Sequence, residues 1–266
     1  MRKILGWFFV FLTVSALGQV TDKEEKPYTL AFKTGEWLEF RLSYSNFFNA
    51  GFSTVEIEES THKNRPVFHI KGHGRTTGLV RLFFKVEDDY QTFIDKSLLK
   101  PYHFIRNIDE GGYTKDTEIL FDHQQKVATV KDHKHKTEET FSIPEKVQDL
   151  LSAFYFLRCQ DLSTLRVGEE MEIVLFFDKD TYTFKLKFLG KELIKTKFGK
   201  IKSLKFRPLV QRGRVFREEE SVEVWISDDQ NKMPLRIKAS LAVGSLVANL
   251  NNFKGLAHPF NIVIDN

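Results

Sequence analysis

Apolar and polar residues alternate along most of the chain. In several runs an apolar side chain recurs at every second position, separated by charged or hydroxyl-bearing residues. A period of two is typical of β-strands that bury one face and expose the other. The clearest runs are Leu38, Phe40, Leu42 and Tyr44; Val55 and Ile57; Tyr182, Phe184, Leu186 and Phe188; Val222, Val224 and Ile226; and Leu235, Ile237 and Ala239. Turn-forming residues separate the runs at hairpin spacing, so the pattern predicts a meandering antiparallel sheet of about a dozen strands.

One segment departs from this alternation. Ser142, Pro144 and Glu145 have the spacing of a capping box with an early proline, which marks the start of a helix. Apolar residues then follow with helical spacing, so we predict an amphipathic helix over residues 144–160. It divides a first β half at 28–141 from a second at 169–258. The predicted fold is mainly β: a large curved antiparallel sheet, or an open or closed barrel-like meander, with one central helix. Curvature is expected because a sheet this long must protect its edges.

The N-terminal residues have the pattern of a secretory signal peptide. Arg2 and Lys3 precede an apolar run over residues 4–14, and the small residues Ala16 and Gly18 follow at signal-peptidase spacing. We expect a signal peptide at 1–18, a flexible leader at 19–27 and a single β-rich domain at 28–266. The protein would then be exported to the periplasm of a Gram-negative bacterium, soluble or peripherally attached to the envelope and not transmembrane after signal removal. The alternative is an uncleaved anchor, although the apolar run is short for a membrane span.

Charge and cysteine content narrow the possible functions. The chain has 266 residues, with 40 Lys and Arg against 36 Asp and Glu, and a formal net charge of +4. Basic and acidic residues are interspersed, which argues against nucleic acid as a partner. The single cysteine, Cys159, excludes an internal disulfide. It lies in an apolar stretch, so we expect it to be buried.

Few polar clusters suggest chemistry. His133 and His135 would share one face of a strand near two glutamates, but the surrounding residues are very polar and are more typical of a hairpin tip than of a zinc site. Asp228 and Asp229 flank a turn, where carboxylates bond to the backbone. The sequence has no phosphate-binding glycine loop and no Gly-x-Ser-x-Gly motif. We therefore predict no catalytic residues, no metal and no cofactor.

Three segments together resemble an uncharacterised bacterial envelope family, the domain of unknown function numbered 3108. They are an opening hairpin at 35–44 and 49–52 (GEWLEFRLSY and NAGF), a central helix at 149–158 (DLLSAFYFLR) and closing hairpins at 224–229, 233–237 and 243–246 (VWISDD, MPLRI and VGSL). The closing pattern is also similar to periplasmic lipoprotein carriers with a half-barrel fold, which hold acyl chains in an apolar concavity. This resemblance implies a β-rich envelope protein and brings no catalytic residues with it.

Phenylalanine is abundant, with 26 residues. Together with the curved β pattern, this content favours a non-enzymatic protein that binds or carries a lipid or acyl group in an apolar concavity. The candidate ligand-binding residues are the apolar faces of two predicted strands: Leu38, Phe40 and Leu42, and Tyr182, Phe184, Leu186 and Phe188. The main alternative is a structural or assembly factor of the envelope that contacts other proteins. An enzyme with an unrecognised site is a further alternative, as is an outer-membrane β-barrel, which the central helix and the dense charge oppose.

Overall fold

The fold is mainly β, as the alternation predicts. The computed structural model describes residues 28–45, 48–209, 222–241 and 243–263, so the predicted signal peptide and leader lie outside the described residues. Within these ranges there are fifteen strands and two helices. The strands are β1 (Trp37–Tyr44), β2 (Phe48–His62), β3 (Arg65–Thr76), β4 (Val86–Asp95), β5 (Pro101–Glu110), β6 (Tyr113–Asp122), β7 (Val127–Asp132), β8 (Thr137–Ser142), β9 (Val147–Gln148), β10 (Glu170–Phe177), β11 (Asp180–Thr196), β12 (Gly199–Leu209), β13 (Val222–Ser227), β14 (Pro234–Ser240) and β15 (Ser245–Lys254). The helices are α1 (Gly78–Phe83) and α2 (Leu150–Arg158).

All fifteen strands belong to one sheet. From β1 the sheet continues through β2 to β8 on one side, and through β15 and then down to β9 on the other. Neighbouring strands in the described chain are antiparallel, apart from the parallel pair of β9 and β10. The two edge strands, β8 and β9, are consecutive in the chain and are joined by residues 143–146. The sheet therefore has to curl until its two edges approach each other.

Side chains, rather than a backbone ladder, join the two edges in the described chain. The ring of Phe176 on β10 packs against Phe121 and Phe141, with centroid distances of 6.1 and 6.0 Å. At the turn after β10, Asp178 accepts a hydrogen bond from Arg106 Nη1 at 2.9 Å. Side-chain packing and an ion pair thus connect the two ends of the sheet, while the hydrogen-bonded sheet itself stays open.

The central helix is confirmed, but its start differs from the prediction. Helix α2 begins at Leu150, and its N-cap is Asp149, whose Oδ1 accepts hydrogen bonds from the backbone N–H groups of Leu151 and Ser152 at 2.8 Å each. The Ser152 hydroxyl accepts from the Asp149 N–H at 2.8 Å, which completes a capping box. The predicted cap, Ser142, is wrong: it is the exposed last residue of β8. Residues 142–145 have the sequence pattern of a cap, but the chain crosses from one sheet edge to the other there and becomes helical only at Leu150.

Helix α2 lies inside the curl of the sheet. One side packs on β2, β3 and β4 and on the segment over residues 28–34. This main core cluster consists of Ala31, Phe32, Ile57, Phe68, Ile70, Ile94, Leu99, Tyr155 and Cys159. Cys159 is buried, as predicted, and burial raises the pKa of its thiol. Within the described ranges, neither helix combines the length and apolar character needed to cross a membrane.

Helix α1 was not predicted from the sequence. It occupies the connection between β3 and β4, where Leu82, Phe83 and Phe84 interrupt the alternation of apolar and polar residues. Gly78, with φ of +57°, allows the chain to turn out of β3 into this helix. No residue of α1 is buried, so its apolar side chains do not belong to any core.

Candidate functional site

An apolar cavity separates α2 from the second half of the sheet. Its volume is about 270 Å³. The helix forms one wall, and strands β10 to β14 form the other. The lining residues are Leu150, Ala153, Phe154, Leu157, Arg158, Leu162, Met171, Leu175, Phe184, Leu186, Phe206, Pro208, Val224, Ile226, Pro234 and Ile237. Among these described residues Arg158 is the single polar one, so the cavity suits a hydrocarbon group far better than a polar ligand.

The helix wall follows from helical periodicity. Leu150, Ala153, Phe154 and Leu157 are spaced by three or four residues, which places them on one face of α2. The opposite face carries Tyr155, which is fully buried against β2 to β4. The helix therefore has one side in a filled core and the other on the cavity.

The sheet wall follows from the period of two. Phe184 and Leu186 are alternate residues of β11, and they point to the cavity from one face of the strand. The register continues this face across the sheet, because Leu186 lies opposite Pro208 and Val224 lies opposite both Phe206 and Ile237. Lys185, between the two β11 residues, instead pairs with Glu172 at 2.6 Å.

A buried ion pair closes the cavity at the end of α2. Arg158 Nη1 and Nη2 donate to the two carboxylate oxygens of Glu36 at 2.5 and 2.8 Å. Its Nε donates to the Asn231 carbonyl at 3.1 Å, and Nη2 also donates to the Ala31 carbonyl at 3.3 Å. Burial disfavours the charged guanidinium, but the Glu36 carboxylate outweighs burial and raises the pKa of Arg158. Because these protein groups already occupy it, Arg158 offers a ligand little hydrogen bonding.

A second buried carboxyl lies at the start of α2. Asp149 is fully buried, and Thr92 on β4 donates to its Oδ2 at 2.6 Å. Burial raises the pKa of Asp149 to about 6, against the opposing effect of the hydrogen bonds from the helix N-terminus and Thr92. Asp149 anchors the start of the helix between the filled core and the cavity, and it does not itself line the cavity.

The predicted ligand-binding residues fall into three places. Phe184 and Leu186 line the cavity. Phe188 is buried beside it, with its ring 5.2 Å from that of Phe206, and Tyr182 is 38% exposed near the strand's start.

The β1 residues lie elsewhere. Leu38 and Phe40 belong to a separate filled core with Trp225, Met233 and Leu235, while Leu42 is half-buried. The alternation assigns each residue a face, but it does not show whether the space on that face is filled. From the sequence, the helix residues of the cavity could be recognised only as part of the apolar face of an amphipathic helix, because a packing face and a lining face have the same spacing.

The polar clusters noted in the sequence lie in turns. His135 lies in the β7–β8 turn, where its Nδ1 is 2.8 Å from Asp132 Oδ2. Asp229 Oδ1 accepts from the backbone N–H groups of Asn231 and Lys232 at 3.0 and 3.1 Å. Across the described part of the chain, no group of three or more His, Cys, Asp or Glu side chains is arranged to hold a metal ion.

Fold and cavity define a class of curled β-proteins in which a helix fills part of the sheet's interior. The chain belongs to the DUF3108 family, which is described as a protein of unknown function, and the family model matches residues 39–251. The resemblance noted in the sequence is thereby confirmed. No curated protein matches the chain.

The chain was also compared with solved structures, one of which shows a related fold. A beta-barrel-like protein of domain of unknown function DUF1849 from Brucella abortus is 11% identical and has a TM-score of 0.54, covering 84% of this chain and 98% of its own. A DUF1089 family protein from Pseudomonas aeruginosa is 12% identical with a TM-score of 0.37, covering 69% of this chain and 87% of its own. A Bacteroides fragilis protein, named a putative exported protein with a YmcC-like fold, is 9% identical with a TM-score of 0.32. The match covers 86% of this chain and 99% of the other. Of these three, the Brucella abortus similarity supports the barrel-like fold, and it extends to the fold alone.

Proposed function

We propose that this protein is an exported, non-enzymatic protein of the cell envelope that binds or carries a hydrophobic ligand, in particular a single acyl chain. The observation that carries the proposal is the cavity between α2 and strands β10 to β14. The signal-peptide pattern over residues 1–18 supports export, with the periplasm of a Gram-negative bacterium as the proposed location.

The size of the cavity supports one chain rather than a whole lipid. Its volume is about 270 Å³. An apolar protein cavity of about 150 Å³ is large enough to bind benzene and otherwise stays dry. A space less than twice that size suits part or all of one hydrocarbon chain, whereas a lipid with several chains would leave most of its apolar surface outside. Each CH₂ group buried there would contribute about 0.8 kcal/mol.

The polar groups around the cavity support binding without chemistry. Catalysis needs a group that can donate or accept a proton at the bound substrate. Within the described lining, the polar residue is Arg158, whose guanidinium is held by Glu36 and by two backbone carbonyls. A ligand in this site would be retained by its apolar surface and would be released chemically unchanged.

A fluorescent fatty acid tests the proposal. We expect the purified protein to bind dansyl-labelled undecanoic acid, with a blue-shifted emission that titrates to saturation. Phe184→Ser should weaken binding about tenfold, because it removes apolar surface from the wall. Val224→Phe should also weaken binding, because the larger side chain fills part of the cavity. Unlike Phe184→Ser, this variant adds apolar volume to the wall.

Two controls match these variants. Lys185→Ser alters the neighbouring residue on the other face of β11, and Phe83→Ser removes a phenylalanine that is 88% exposed and remote from the cavity. Both should bind the probe as the unchanged protein does. If the folded protein binds neither the probe nor any lipid detectable by native mass spectrometry, the carrier proposal is wrong.

The assembly role is a second candidate, favoured by one observation. Strand β8 is an edge of the sheet, and all but one of its six residues are exposed. An open edge can accept a strand from another protein. A partner bound there would protect the β8 amides from hydrogen exchange while leaving probe binding unchanged.

A further inference from the structure

Exposed apolar side chains are concentrated at one end of the curled sheet. They lie on the β1–β2 and β14–β15 hairpins and on the connection between β3 and β4, which contains α1. We call this set the apolar rim: Tyr44, Phe48, Leu79, Leu82, Phe83, Phe84, Leu241, Val243 and Leu246. Phe83 is 88% exposed, Leu82 78% and Val243 77%. Contiguous exposed apolar surface on a folded protein marks an interaction site.

The three parts of the rim are fixed to one another. Strands β3, β2, β1, β15 and β14 are consecutive neighbours in the sheet. The Tyr44 hydroxyl donates to the Val243 carbonyl at 2.7 Å, joining the first hairpin to the last. The Thr77 N–H donates to the Ala50 carbonyl at 3.0 Å, which attaches the start of α1 to β2. The three parts of the rim therefore lie side by side at one end of the sheet.

Folding does not require the apolar residues of α1. None of its side chains is buried, so none contributes to a core. The connection is held instead by the Thr76 hydroxyl, which accepts from the Val86 N–H at 2.9 Å and donates to the Phe84 carbonyl at 3.1 Å. Polar residues would form this turn equally well and without the cost of exposing Leu82 and Phe83 to water.

The three segments that form the rim differ in charge from the strands beside them. The sequence has no acidic residue over 42–55, over 60–86 or over 235–254, the three segments that form the rim. These segments and their borders contain several cations, of which Arg41, Arg75, Arg81, Lys85 and Lys238 are close in sequence to rim residues. Four of these five cations have an acidic neighbour outside the three segments. Arg81 contacts Glu87 at 3.1 Å and Lys85 contacts Asp109 at 2.6 Å, while Arg75 and Lys238 lie opposite Glu87 and Glu223 on adjacent strands. The rim segments thus combine apolar side chains with cations, and their acidic neighbours lie on the adjoining strands.

We propose that the apolar rim docks on the surface of an anionic phospholipid bilayer. Apolar and aromatic side chains would enter the headgroup region, while the bordering cations face the lipid phosphates. A protein partner fits less well, because the three rim segments contain no acidic residue of their own that could fix a register. The proposal is independent of the ligand proposal, since no rim residue lines the cavity.

Vesicle sedimentation tests this docking. The protein is produced with its own N-terminal segment and purified after processing by the cell, and all variants are produced in the same way. We expect it to sediment with phosphatidylglycerol vesicles and much less with phosphatidylcholine vesicles or in high salt. The double variant Leu82→Ser/Phe83→Ser should lower the partition coefficient about tenfold or more.

Matched controls remove the same kind of residue elsewhere. Val167 and Leu193 are 71% and 51% exposed and lie outside the rim. Val167→Ser/Leu193→Ser should sediment with vesicles as the unchanged protein does, and so should the cavity variant Phe184→Ser. As a direct readout, Phe83→Trp should show tryptophan emission that brominated phosphatidylglycerol quenches.

Three results would overturn the proposal. One is that the unchanged protein does not sediment with anionic vesicles. Another is that the rim and control double variants lose binding equally. The third is that the rim variant converts an oligomer into a monomer in analytical ultracentrifugation, which would assign the rim to an interface between copies of the chain.

Discussion

The two sides of α2 have similar chemistry but opposite packing. On the side of β2 to β4, Tyr155 fits among Ile57, Ile70 and Ile94, and the space is filled. On the side of β10 to β14, Phe154 and Leu157 face Phe184 and Leu186 across an open cavity. Both sides are apolar, so hydrophobic composition does not decide which one is filled.

A third layer decides it. On the filled side, the segment over residues 28–34 lays Phe32 against both neighbours, with ring centroids 4.7 Å from Tyr155 and 5.4 Å from Phe68. Among the residues that the structure describes, no such aromatic side chain lies between the helix and the sheet on the cavity side. The comparison teaches that a hollow can be produced by leaving out one covering segment, without changing the residues of the walls.

The largest expected effect concerns the ion pair between the two sides. Glu36→Ala should lower the free energy of unfolding by about 3–5 kcal/mol, because it leaves the buried Arg158 guanidinium without its partner. Denaturant unfolding measures the change. Glu58→Ala is the control, since the Glu58–Lys71 pair is at the surface and should contribute no more than about 1 kcal/mol. Equal effects for the two variants would mean that Arg158 is not fixed by Glu36.

The next prediction compares truncations on the two sides. Ile70→Ala on the filled side should cost about 2–4 kcal/mol, because it creates a new void among buried side chains. Leu186→Ala on the cavity side should cost about 1 kcal/mol, because it enlarges a space that already exists. The same unfolding experiment measures both. Similar costs would show that the cavity side packs as tightly as the other in solution.

The smallest expected effect is on pH dependence. The pKa of Asp149 is raised to about 6 by burial, above its ordinary value of 3.8. The folded state therefore holds this proton more tightly than the unfolded state does. The stabilisation is complete below about pH 4 and is lost as the pH rises through about 6. Between pH 4 and 7, the unchanged protein should lose on the order of 2 kcal/mol relative to Asp149→Asn.

The Asp149→Asn comparison has an internal control. All other acids titrate in both proteins, so they cancel in the difference between the two unfolding free energies. Asparagine also retains an oxygen that can cap the helix. If the difference does not change with pH, Asp149 has an ordinary pKa, and the start of α2 is less buried than the structure shows.

Much of the fold could be predicted from the sequence. The alternation of residues such as Phe184 and Leu186 with lysines identifies strands, because the period of two is a local property of the backbone. The position of the central helix also followed from local spacing. Its start did not, because residues 142–145 and 149–152 both have capping signatures and the choice between them depends on where the sheet edges meet.

The site was only partly predictable. The apolar face of β11 was identified, and two of its residues line the cavity. Leu38 and Phe40 have the same pattern but lie in a filled core, because the second layer above them comes from β11, β12 and the C-terminal segment. That layer is brought there by contacts distant in sequence. Helix α1 was missed because six residues are too few to show a helical period, and because none of them is buried to give an apolar face.

The pairing of β1 with β15 sets the order in which the sheet can be completed. Trp37 lies opposite Lys254, so one edge of the first strand, β1, finds its partner only in the last strand, β15. A chain that emerges from its N-terminus can form β1 to β8 by local hairpins, but β1 keeps an unpaired edge until almost all of the chain is available. Such distant pairings slow folding and leave strand edges open to wrong partners in the meantime. The curled sheet is thus a structure that is joined last at its middle, and its completion depends on the final hairpin.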